Sequence, residues 1–71
     1  MTKVRFWLKL PRKSMFIRLH NSLEAGGVKV SDLYHNPISE EYGFSCAAAQ
    51  EDLARYIMGV EEVEYTRKQY Y

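Results

Sequence analysis

The stretch Val4-Arg5-Phe6-Trp7-Leu8-Lys9-Leu10 places an aliphatic or phenyl side chain at every second position, with Arg5, Trp7 and Lys9 between them. Side chains alternate across a strand, so Val4, Phe6, Leu8 and Leu10 take one face, and Lys3, Arg5, Trp7 and Lys9 the other. This is the most strongly patterned apolar segment of the chain. It reads as a central strand that two later segments pair against. Pro11 ends it, because proline offers no amide to the ladder.

Residues 14–25 read as a helix. Ser14 is a good N-cap, Met15, Phe16, Leu19 and Leu23 share one arc, and Gly26-Gly27 supplies a left-handed stop. Ile17 falls on the polar side and is expected to be exposed. Val28 to Tyr34 alternates again, with Val28 and Val30 inward, and reads as a second strand. His35 to Glu40 reads as a loop, since Asn36-Pro37 breaks the pairing. Glu41 to Cys46 is a third strand with Tyr42, Phe44 and Cys46 on one face; its C-terminal limit is open as far as Ala48. From Ala49 the period is helical, with Ala49, Leu53, Tyr56 and Ile57 on one side, Glu51 and Asp52 in the first turns, and Gly59 as the stop. Val60 to Tyr71 is a last strand and tail. Val63 and Tyr65 face inward, and Glu62, Glu64, Thr66 and Lys68 outward.

The order β-α-β-β-α-β requires two helices to cover one face of a four-stranded sheet. Right-handed crossovers then give a ferredoxin-like α+β fold, a split βαβ with strand order 4-1-3-2, as a single domain over residues 1–71. The other sheet face is left without a helical cover. It is expected to carry Lys3, Arg5, Trp7 and Lys9 beside the small Gly43, Ser45 and Ala47, with Glu62 and Glu64 opposite the cations.

The net charge of +1 is not the balance of a nucleic-acid binder. Its distribution is uneven. Residues 1–35 hold seven Lys/Arg against two Asp/Glu, and residues 36–71 hold three against seven. Either the halves attract one another within the fold, or the basic half meets an acidic or phosphate partner. A lone cysteine, Cys46, cannot form an internal disulfide, and His20 and His35 lack metal-ligand spacing. No metal or cofactor is expected. Cys46 reads as a small buried hydrophobe. The N-terminus lacks the apolar core of a signal peptide and no run approaches a membrane span, so a cytoplasmic protein without membrane contact is expected. A chain this short gains burial by self-association, which makes a homodimer one expectation.

Three surfaces are candidates. The open sheet face with Arg5, Trp7 and Lys9 suits a protein partner, as do Ile17 and the aromatic loop residues Tyr34 and His35. Trp7 lying beneath the Tyr70-Tyr71 tail is the plain alternative. Lys9, Arg12, Lys13 and Ser14 cluster at the start of the first helix and suit an anion. His35 with Glu40 or Glu41 is the one acid–base pairing the spacing offers a small enzyme. Phe6-Trp7-Leu8 and Tyr42-Gly43-Phe44 superficially resemble the two aromatic signatures of RNA-recognition motifs, which share this element order. That resemblance implies base stacking on the open face. Glu40-Glu41 and Ala47 depart from the pattern, and no family is assigned. A non-catalytic protein-binding domain is the leading expectation, a nucleic-acid-binding regulator the alternative, and a small enzyme the third.

Overall fold

A computed structural model describes residues 2–71. β1 (Lys3–Lys9) is flanked by β3 (Glu41–Ala47) and β4 (Tyr65–Tyr70), and β2 (Ser31–Asn36) lies outside β3. All neighbours are antiparallel, in the order β2-β3-β1-β4. α1 (Lys13–Ala25) follows β1. α2 (Glu51–Val60) follows β3 after a single 3₁₀ turn at Ala48–Gln50. This is the expected ferredoxin-like arrangement, with the order read from the opposite edge.

The helix-side face of β1 and β3 is dry. Val4, Phe6, Leu8, Phe44 and Cys46 are fully or almost fully buried, packed against Leu19 and Leu23 of α1 and Met58 of α2. The Phe6 ring meets Phe44 at 5.3 Å and Tyr65 at 5.2 Å between centroids, and Phe16 meets Tyr42 at 4.8 Å. Burying one such side chain contributes about 1.5–3 kcal/mol.

Both helices end in the same six-residue loop. After α1, Val28 N–H donates to the Leu23 carbonyl and Gly27 N–H to that of Glu24, with Gly27 at φ 93°. After α2, Val63 N–H donates to Met58 and Glu62 N–H to Gly59, with Glu62 at φ 58°. This is the Schellman stop, which needs one left-handed residue. Gly27 fills that place as expected. In α2 the place belongs to Glu62, and Gly59 lies inside the helix, not at its end.

Four expectations are corrected. α1 begins at Lys13, with Arg12 extended before it and no side-chain cap, so Ser14 is the second helical residue and not the cap. β2 begins at Ser31 and runs through His35 to Asn36, residues expected in a loop. The turn at Pro37–Glu40 is held instead by the Asn36 Oδ1, which accepts from the Ile38 N–H at 3.0 Å. α2 turns Ala54, Ile57 and Met58 inward and leaves Leu53 and Tyr56 outside, a rotation of one residue from the expected stripe. Glu51, tied to Lys68 and Tyr70 of β4, fixes that rotation.

The fourth correction concerns β4. Its pairing with β1 slips between Trp7 and Leu8: Trp7 opposes Arg67, yet Leu8 opposes Tyr65. Thr66 is the extra residue of a bulge. From there the alternation is inverted. Lys68, expected outward, lies opposite buried Phe6 on the helix side, and Arg67 and Gln69 take the open face.

Candidate functional site

The open face is built on the register Arg5–Ser45–Ser31, Trp7–Gly43–Tyr34 and Lys9–Glu41–Asn36 across β1, β3 and β2. Arg67 of β4 lies on the other side of Trp7. Trp7 is half-buried here, away from the helices, as its place in the alternation predicts. The Arg67 guanidinium carbon sits over the indole at 3.9 Å from its centroid, and that of Arg5 at 5.3 Å. Guanidinium over indole is the stronger kind of cation–π pair.

Gly43 makes room for this. A β-carbon there would come within 3.2 Å of the Arg5 Nη2 and 3.5 Å of the Tyr34 Cβ. Without it, Arg5 crosses β3 and donates to the Asp32 carbonyl at 2.9 Å and the Ser45 hydroxyl at 3.3 Å. The space that the small Gly43 and Ser45 leave beside Trp7 is therefore taken by Arg5. Ser45 shares a 2.7 Å hydrogen bond with the Tyr71 hydroxyl, which donates to Asp32 Oδ2 at 2.8 Å. Ser45 is 0% exposed, so its hydroxyl is closed to solvent and ties the C-terminal residue to the sheet. The Tyr71 hydroxyl, with Lys3 at 3.9 Å and Arg5 nearby, holds the Asp32 carboxyl below its usual range.

The C-terminal tyrosines do not cover Trp7. Tyr71 pairs with Lys3 and reaches Ser45, and Tyr70 turns to the helix side, where its hydroxyl donates to Glu51 Oε1 at 2.6 Å. Glu62 and Glu64 precede β4 and share a hollow with Lys9 alone of the β1 cations, with no ion pair formed among the described residues. The open face thus presents Lys3, Arg5, Lys9 and Arg67 against Asp32 and Glu41. Arg18–Glu61, at 3.8 Å, is the one ion pair between the two halves of the sequence among the described residues.

The remaining predicted residues are dispersed. Ile17 and His35 lie on the helix side, in a groove between α1 and β2 that also takes Lys13. His35 stacks on Tyr42 at 4.3 Å between centroids. Because Glu41 sits on the other face of the sheet, His35 and Glu41 form no acid–base pair. Lys9 belongs to a hollow with Leu10 and Glu64, whereas Arg12 and Ser14 line another with Arg18. The four anion-site residues do not converge on one point. Tyr42 and Phe44 face the core, so β3 brings no ring to the open face and the RNA-recognition pattern is incomplete. No group of three or more metal-ligating side chains occurs among the described residues, and no helix of theirs is long and apolar enough to cross a membrane.

No family model matches the chain. The comparison with curated proteins also finds no match.

Arg67 is the residue that sequence reasoning missed. Its pairing with Trp7 follows from the bulge at Thr66, which leaves no trace in an alternating pattern. Alternation through Thr66-Arg67-Lys68 sends Lys68 to the open face and Arg67 to the helix side, and the bulge reverses both.

Proposed function

We propose that the chain is a non-catalytic binding domain that docks an acidic surface of another protein on its open sheet face. The observation that carries this reading is Trp7 with the Arg67 and Arg5 guanidinium groups over its ring. Tryptophan and arginine dominate the energetics of protein interfaces, because both bury large flat surfaces and arginine also pairs with carboxylates. A second copy in twofold symmetry is the less favoured occupant. It would set Lys3, Arg5, Lys9 and Arg67 against their own equivalents, and like charges across an interface cost several kcal/mol. A nucleic acid is less favoured too, since Arg67 already lies on the ring a base would stack upon.

The test is affinity capture from an extract of the cells that express the chain, before and after nuclease treatment. Wild type is compared with Trp7→Ala and Arg67→Glu. A protein retained by wild type, lost with both variants and indifferent to nuclease is the expected result. Retention that nuclease abolishes, or that neither variant alters, overturns the reading. Molar mass by light scattering is expected to be that of a monomer at micromolar concentration.

A further inference from the structure

A second surface lies away from the open face and is independent of its reading. Between α1 and β2 runs a groove of about 270 Å³. Its floor is Phe16 and Tyr42, with Ile17 on one wall and Leu33 on the other. These walls are not closed: Ile17 is 50% exposed and Leu33 56%. β2 is an edge strand, so no neighbour pairs with its outer side. An exposed edge beside an apolar groove is the geometry on which extended peptides add as an extra strand, their alternate side chains entering the groove. The β2 bulge, with Asp32 at φ 52°, interrupts pairing with β3 between Ser31 and Tyr34. Regular pairing therefore runs from Tyr34 to Asn36, overlapping the groove at Tyr34 and His35, with Leu33 in the bulge beside it.

The charge around the groove points to one kind of occupant. Lys13 is the charged residue of its lining, the imidazoles of His20 and His35 add hydrogen-bonding edges, and no carboxylate lines it. Lys13 also stands in the first turn of α1, where free backbone amides add positive potential. The acids of α1 and β2 themselves are engaged elsewhere. Glu24 Oε2 accepts from the Val30 N–H at 2.9 Å, and Asp32 accepts from Tyr71. A second copy in twofold symmetry would bring Lys13 toward its equivalent with no carboxylate in either lining.

We propose that this groove docks an extended acidic segment of a partner protein. The segment lies along the edge of β2, seats an apolar side chain over Phe16 and Tyr42 between Ile17 and Leu33, and places a neighbouring carboxylate at Lys13.

A displayed library of random short peptides, selected on the intact chain, tests this. Ile17→Glu and Lys13→Glu serve as controls. Both alter exposed positions, and unchanged melting temperatures establish that they fold. Enriched peptides are expected to carry an apolar residue beside Asp or Glu. A synthetic peptide of the enriched sequence is expected to bind each variant at least about tenfold more weakly than wild type. Its binding is expected to be unchanged by Trp7→Ala, which separates this site from the open face. Amide chemical shifts are expected to move in α1 and β2 and not around Trp7. The proposal is overturned by selection without enrichment, by an enriched motif that is basic or lacks acids, or by equal binding to the variants. A wild-type dimer that Ile17→Glu dissociates would also overturn it, by making a second copy the occupant.

Discussion

Glu62 holds φ at 58°, a region where a β-carbon crowds the following carbonyl, while three residues earlier Gly59 sits in ordinary helical backbone with nothing within 4 Å of where its β-carbon would be. The two residues occupy each other's natural places. Gly59→Ala is expected to stabilise the fold by about 0.5–1 kcal/mol, because alanine loses less backbone freedom in a helix. Glu62→Gly is expected to stabilise it by up to about 1 kcal/mol, because it relieves the left-handed backbone. Urea midpoints of the two variants check both, and a fall in either midpoint contradicts the assignment of α2's end. The same comparison shows why residue-level reading stopped where it did. Gly27 announces a left-handed stop by being glycine. Glu62 carries no such signature, and residue type alone puts the stop on Gly59.

At the scale of elements, Glu51 joins the start of α2 to β4 by two short bonds, from Lys68 Nζ and the Tyr70 hydroxyl, both 2.6 Å. These bonds hold the Glu51 carboxyl below its ordinary pKa and the Lys68 ammonium above its own. A carboxylate with a depressed folded pKa contributes stability that is complete above its unfolded value. That contribution is lost as pH falls through the folded one. Asp32 acts in the same direction. The melting temperature is therefore expected to be level near neutrality and to fall below about pH 4, where unfolded carboxyls take up protons. For Lys68 the sign reverses: stability is complete below its unfolded pKa and declines as pH rises through the raised one, in the alkaline range above about 10.4. Glu51→Gln is expected to lower the neutral melting temperature and to flatten both limbs, which thermal unfolding across pH reads directly. A variant curve parallel to wild type would show that the bonds do not form. This contact also explains which elements were legible. β1 and β3 pair without irregularity, and alternation read both correctly. β2 and β4 each contain a slip, at Asp32 and at Thr66, and a period-two pattern cannot register a slip. For α2 the sequence predicts the helix but misplaces its stop and its stripe, since Leu53 and Tyr56 compete with Ile57 for the inner face and the tie of Glu51 to β4 favours the observed rotation.

For the whole molecule, the order of elements and the sheet topology followed from punctuation by Pro11, Gly26-Gly27 and Asn36-Pro37 together with the handedness of crossovers. Which face holds which charge did not follow. Total stability for 71 residues is on the order of 4–10 kcal/mol, so single core contacts weigh heavily. Leu19, 0% exposed beneath the sheet, and Ile17, two positions away and half exposed, separate core from surface on one helix. Leu19→Ala is expected to cost about 2–5 kcal/mol and Ile17→Ala less than about 0.5, as equilibrium denaturation would measure. Similar losses at both sites would mean that the groove wall is part of the core. One insertion, finally, can be taken out without cost to the surface it adjoins. Delete Thr66 and the ladder runs unbroken, with tyrosine still facing Leu8, arginine still over the indole and lysine still opposite Phe6. The charged tryptophan platform therefore survives the loss of that codon, because plain alternation then delivers the same side chains that the bulge delivers now.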